Sequence, residues 1–302
     1  QNEVVKEEKR VRYDNQPYGT FLPEIIKRAY SVHPYQWTPI GKMEHLDAAT
    51  LEEFIDFYHK YYVPNNAILS IAGDIDIEQT KKLIKEYFGP IPKGKQEIKR
   101  VTIVEPQLKE EIRDVIYDNI QLPGVMMAYR IPKQGTPDFY AVEMLGKVLS
   151  SGESSRLTKQ CVETTQSAMM VGSFPFGTED PGLSFVFAIA NSDVKPEVLE
   201  KDINTEFIKI QKEEISDIEL EKIRNITEND FIYNFNSIAG IAENLANYKM
   251  YFGDANLINT ELDRYLAVTK EDIKRVANKY FVPGNRVVLY YLPVEEEVQE
   301  EK

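Results

Sequence analysis

Residues 50–74, TLEEFIDFYHKYYVPNNAILSIAGD, and residues 269–293, TKEDIKRVANKYFVPGNRVVLYYLP, follow one pattern. Thr50 matches Thr269, Lys60 matches Lys279, Tyr61 matches Tyr280, Val63 matches Val282, Pro64 matches Pro283 and Asn66 matches Asn285. All six pairs share an offset of 219 (269 − 50) without a gap. Each stretch opens on a threonine able to cap a helix and continues with apolar residues at helical spacing. It then breaks at Val-Pro and ends in an apolar run that reads as a buried strand. Helix, proline turn and strand is a common succession, so the element types alone would prove nothing. Six identities at one offset point to a tandem duplication.

The second copy closes a unit that opens near Glu110, behind a charged, proline-containing linker. In that unit the patterns predict strands at 113–117, 124–131, 169–175, 182–190 and 286–292. Helices are predicted at 137–150, 154–163, 195–212, across 216–267 and at 269–280. Before the linker, helices are predicted at 2–14, 21–31, 49–62 and 76–88, with one strand at 67–72. A lone strand leaves both of its edges unpaired. Moving the start of the second unit back by the offset puts about 110 residues of the first unit upstream of Gln1. The expected fold class is α+β, with two homologous domains, the first one incomplete, each a mostly antiparallel sheet packed against helices. The division reads 1–95 for the first domain, 96–112 for the linker and 113–302 for the second domain.

The chain has 302 residues, 42% hydrophobic and 11% aromatic, which is enough for more than one packed core. Its net charge of −13 argues against a broad nucleic-acid footprint. Cys161 is the single cysteine, so no intrachain disulfide forms. No apolar run reaches the length of a membrane span. A soluble protein of the bacterial cytoplasm or periplasm is expected.

Three histidines, His33, His45 and His59, are spaced by 12 and 14 residues, so no two sit at i, i+4 on one helix and no complete two-histidine zinc motif is present. Structural roles are expected for all three. The serine-rich stretch 150–155 lacks a neighbouring base and reads as a turn between helices. Glu8 stands out because it shares a helical stripe with Val4 and Val11. A carboxylate facing a core must be paired, hydrogen-bonded or metal-bound. On the residues alone, an ion pair to Arg12 or Lys9 and a metal bond both remain open.

Four stretches, VVKEEKRVRYDNQPYG (4–19), HPYQWTPIGKMEHLDAAT (33–50), FYHKYYVPNNAILSIAGDID (57–76) and SSGESSRL (150–157), resemble the pitrilysin/insulinase peptidases, the inverted zincins, in their mitochondrial-processing-peptidase-like branch. The resemblance implies a zinc metalloendopeptidase that cleaves unstructured peptides. It implies zinc held by an H-x-x-E-H helix whose glutamate is the general base, with a third ligand in a V-V-x-x-E context. Here that ligand is Glu8, in preference to Glu7, and the histidine helix falls upstream of Gln1. The family's substrate-holding Arg and Tyr fall at Val162 and Met169, neither of which donates the needed hydrogen bonds. The resemblance therefore implies no catalytic residue in this chain and weak zinc binding by it alone. It also implies a second family subunit, or a further copy of the chain, as partner. A non-catalytic structural subunit of the same family is the alternative.

Overall fold

The structure, a computed structural model, describes residues 2–294. Before the linker lie α1 (Asn2–Lys9), α2 (Phe21–Ala29), α3 (Met43–Ala48), α4 (Leu51–Tyr61) and α5 (Ile77–Tyr87). After it come β1 (Ile112–Asp118), β2 (Gly124–Arg130), α6 (Pro137–Ser150), β3 (Ala168–Phe176), β4 (Leu183–Ala190), α7 (Pro196–Lys212), α8 (Asp217–Asn234), α9 (Ile238–Phe252), α10 (Glu261–Leu266), α11 (Lys270–Tyr280) and β5 (Arg286–Pro293). Wider π turns occur at Arg10–Asp14 and Thr158–Thr164.

The strands form one sheet in the order β1-β5-β2-β4-β3. β1 and β5 are parallel, and the other three pairings are antiparallel. Apolar residues alternate between two cores because side chains along a strand point to opposite faces. Val125, Met127 and Tyr129 of β2 join a large cluster with α6, α7 and α11, while Met126 and Ala128 join a second cluster on the reverse face. That reverse face is covered by α2, which buries Ile25, Ile26 and Ala29 against Val287, Leu289 and Tyr291 of β5. Burying each of these isoleucines contributes roughly 1.5–3 kcal/mol. The sequence pattern placed helices on one face; the chain's own beginning covers the other.

The described residues cluster into two compact units that cut across the linear order. One holds the chain up to Gly41, Ile103–Asn225 and the chain from Arg264 onward; the other holds Lys42–Thr102 and Ile226–Asp263. The last residues of the 113–302 stretch, 295–302, lie outside the described residues.

The two stretches that match in sequence differ in structure. α4 and α11 are both 11 residues long, and each starts on a capping box, Thr50 with Glu53 and Thr269 with Asp272. Both end in a Pro-initiated 3₁₀ turn, Pro64–Asn66 and Pro283–Asn285. Beyond that turn, Arg286–Pro293 is a strand paired on both sides. The strand expected at 67–72 is extended at Ala67 but pairs with nothing among the described residues, so it is not a strand. Strand identity comes from the ladder, and a run with no neighbour cannot form one. On the helices the contrast repeats. Ile273, Val276 and Ala277 of α11 are 0% exposed, whereas Phe54, Phe57 and Tyr58, at the same offset on α4, are 57–58% exposed.

Candidate functional site

Glu8 lies in the last turn of α1, just before the π turn. Its carboxylate pairs with Arg12, at 3.1 Å and one helical turn away. Val4 and Val11, on the same stripe, are 68% and 50% exposed. Within the described residues the stripe faces solvent, and the ion pair weighed from the sequence is present.

His33 is buried, and both of its nitrogens are engaged. Nδ1 accepts from the backbone N–H of Tyr35, and Nε2 lies 3.3 Å from Asp180 Oδ2. Its ring packs 4.2 Å from that of Tyr35. His45 lies on α3, and His59 lies in the last turn of α4 beside Tyr58. Among the described residues, no three His, Cys, Asp or Glu side chains stand close enough to hold a metal. The described residues therefore bring no three-ligand set together by themselves. Cys161 is buried, and burial together with Asp202 and Glu206 pushes its thiol up to about 12, so it is no thiolate ligand or nucleophile at neutral pH.

Val162 sits in the π turn against the large core, and Met169 is exposed on edge strand β3. Met169 lines an open groove of about 980 Å³ with Tyr18, Ile120, Leu122 and Ile189. Arg156 of the SSRL stretch is committed to Glu219, with two hydrogen bonds of 2.7 and 3.0 Å. Those bonds, against the opposing effect of burial, bring the Glu219 carboxyl down to about 2.

Two charged clusters went unnoticed in the sequence. Glu105, in the linker, accepts from the Ser31 hydroxyl and from the N–H groups of Ser31, Val32 and His33, and it pairs with Arg130. Arg130 in turn donates to the Ala29 carbonyl at the end of α2. This latch fastens α2 to the end of β2. Burial alone would raise the Glu105 carboxyl, but the donors from residues 31–33 outweigh it and bring it down to about 2. Stability from such a group is present above the unfolded carboxyl value and is lost as the pH falls through the folded one. Between pH ~4.3 and ~2 the wild type should lose about 2 kcal/mol that Glu105→Gln does not lose. Urea midpoints measured across that window would show it, and equal slopes for the two proteins would refute the latch. Beside it, Tyr30, Tyr35, Trp37, Phe176, Leu183 and Phe185 line an apolar cavity of about 230 Å³. Burial pushes the Tyr30 phenol up, so it stays protonated and donates to the Pro181 carbonyl.

The second cluster joins sheet to helix. Buried Arg286 of β5 donates to Glu200 of α7 at 2.9 Å, to Asn204 at 2.7 Å, to the Tyr129 hydroxyl at 3.1 Å, and to Glu111. Glu200 also accepts from Arg113 and the Tyr290 hydroxyl. An arginine heading an apolar strand was the available signal, since a buried charge demands partners.

Neither cluster pairs a nucleophile with a base, and their shape is that of fasteners. What the chain is emerges from its likenesses. Residues 48–227 match the family described as the peptidase M16 inactive domain. The chain belongs to the peptidase M16 family. It is 30% identical to the zinc protease PqqE of Helicobacter pylori, over 97% of this chain and 66% of that protein. The crystal structure of a protease from Helicobacter pylori superposes with a TM-score of 0.91 at 30% identity, covering 97% of this chain and 71% of the other. A probable mitochondrial-processing peptidase subunit beta of Arabidopsis thaliana is 22% identical over 90% of this chain and 54% of that protein. The chain thus spans between about half and two-thirds of these curated M16 relatives. The matched M16 region begins just before α4 and excludes Glu8. No helix among the described residues is long and apolar enough to cross a membrane.

Proposed function

We propose that this chain is the greater part of one subunit of a zinc-dependent M16 endopeptidase acting on unstructured peptides, and that it is inactive by itself. The observation that carries this reading is the 30% identity, across 97% of the chain, to a protein named a zinc protease. In it, Glu8, in its Val4-Val5-Lys6-Glu7-Glu8 context, is the third zinc ligand, and the two histidines and the general base belong to an H-x-x-E-H helix outside these residues. The solvent-facing stripe of Val4, Glu8 and Val11 is the surface that such a helix would cover. Tandem domains, 1–95 and 113–302 about a linker at 96–112, are supported by the shared offset of α4 and α11 and of the turns that follow them. Val162 and Met169 in place of an Arg–Tyr pair favour a second subunit of the mitochondrial-processing-peptidase type that supplies the substrate-holding groups.

Isothermal titration of the 302-residue chain with zinc should show no tight stoichiometric binding, and peptide cleavage should be absent. One zinc bound per chain at sub-micromolar affinity would sink the proposal that the remaining ligands lie elsewhere. A structural-subunit reading draws on one observation, the description of the matched M16 region as an inactive domain. An H-x-x-E-H segment joined to this chain supports the peptidase, and a joined segment without one supports the scaffold.

A further inference from the structure

The apolar cavity beside the Glu105 latch lies wholly within the sheet-bearing unit. β4 lends it Leu183 and Phe185, α2 lends Ile26 and Tyr30, and the turn after α2 lends Tyr35 and Trp37. Protein interiors rarely keep a void much larger than a water molecule, because the lining atoms lose their partners across it. This void is held open by polar bonds around its wall. The Tyr30 hydroxyl donates to the Pro181 carbonyl at 3.0 Å, and the Tyr35 hydroxyl accepts from the Asp180 N–H at 3.3 Å. His33 Nε2 lies 3.3 Å from Asp180, and Glu105 holds the N–H groups of residues 31–33. The turn that carries Tyr35 and Trp37 cannot fold inward without giving up these bonds. Trp37 and Phe176 line the cavity and are also 56% and 57% exposed, so both stand between it and solvent.

We propose that this cavity is a binding site for a small, uncharged aromatic molecule of one or two fused rings carrying a single polar oxygen. An apolar cavity of ~150 Å³ stays dry and holds benzene. The cavity here, about 230 Å³ and walled by aromatic rings, suits a bicyclic ring system. It falls short of the ~300–1,000 Å³ of a site for larger ligands, so an oligopeptide does not fit. Tyr30 and Tyr35 already meet edge to face, at 5.7 Å and 81°, and a flat ring extends that packing where an alkyl chain does not. No lining residue is charged, so an ionised ligand would be buried without compensation. The Tyr35 hydroxyl accepts from Asp180 and has no acceptor for its own proton among the described residues, which leaves that proton for the ligand's oxygen. Glu8 lines no part of the cavity, and the site stands or falls independently of the zinc chemistry.

Trp37 is the chain's single tryptophan, so the site carries its own reporter. The probe is 2-indanol, a bicyclic ring with one hydroxyl that is transparent at the red edge of tryptophan absorption. Titrated into the 302-residue chain, it should change the Trp37 emission saturably, with one site per chain and a Kd of ~10–300 µM. It should also raise the thermal midpoint. Leu22→Phe, which pushes a ring into the cavity from α2, should weaken binding by at least ~10-fold. Should that variant lose its fold by circular dichroism, Phe176→Ala decides, because the residue is exposed and its removal should cost ~5-fold in affinity alone. Tyr35→Phe should weaken 2-indanol by ~5-fold and leave indane, the same rings without the hydroxyl, within ~2-fold of wild type. An emission change that rises without saturating overturns the proposal, and so does an affinity indifferent to both Leu22→Phe and Phe176→Ala. Equal losses of both probes in Tyr35→Phe overturn the oxygen-bearing ligand.

Discussion

Arg286→Ala should destabilise the sheet-bearing unit by roughly 3–5 kcal/mol, the largest effect expected of any single charge change outside the linker. Arg286 is 5% exposed, and its guanidinium bridges Glu200, Asn204, Glu111 and the Tyr129 hydroxyl. Truncation leaves Glu200, itself 5% exposed, with Arg113 and Tyr290 but without its buried partner. It also strips the buried Tyr129 hydroxyl of its donor. The cost is that of uncompensated burial and exceeds the worth of the bridge itself. Pairing Arg286→Met with Glu200→Gln should therefore recover more than half of the loss, because the orphaned charge goes with its partner. Urea midpoints of the wild type, the single variant and the double variant, read by tryptophan fluorescence and far-UV circular dichroism, would test this. A single-variant loss below ~1 kcal/mol would place the network at a solvated surface and contradict the burial of Arg286 and Glu200.

In a polypeptide that carries the proposed two-histidine segment, Glu8→Gln should lower zinc affinity by ~100-fold or more. A glutamine offers a neutral oxygen where the metal bond needs an anion, and it keeps the volume of the side chain. Its fold should be undisturbed, since in the described chain Glu8 is exposed and meets only Arg12, an ion pair worth a few tenths of a kcal/mol. Glu7→Gln serves as the control. Glu7 pairs with Arg10, at 3.1 Å on the adjoining helical face, and should leave zinc affinity within ~3-fold of wild type. Competition with a chromogenic chelator gives the affinities directly. Equal zinc retention by Glu8→Gln and wild type would remove Glu8 from the metal, and a loss confined to Glu7→Gln would move the ligand by one residue.

Much of the architecture was legible from local chemistry. Thr50 and Thr269 cap their helices, Val-Pro ends them, and the apolar runs at 124–131, 182–190 and 286–292 are strands within one or two residues. Family membership was legible in four short stretches, and the match to 48–227 shows it. The two ionic fasteners were not legible, because their members are far apart in sequence: Glu105 with Ser31 and Arg130, and Arg286 with Glu111, Glu200 and Asn204. An isolated Arg or Glu in a sequence looks like surface until the fold supplies its partner.

The matched pair of stretches marks the boundary between the two kinds of information. By itself the sequence determined that residues 50–66 and 269–285 form the same capped helix and the same proline turn, since the caps, helix bonds and turn bonds of these elements span at most five residues. Only the tertiary structure decided that Arg286–Pro293 is a central strand while 67–72, with the same apolar run, is not one. It also decided that α2 seals a sheet more than 80 residues away in the chain (112 − 29), whereas no residue of α9 is buried. The physical reason is that a helix closes its hydrogen bonds within one segment. A strand and a buried helix face exist only when distant chain arrives to complete them.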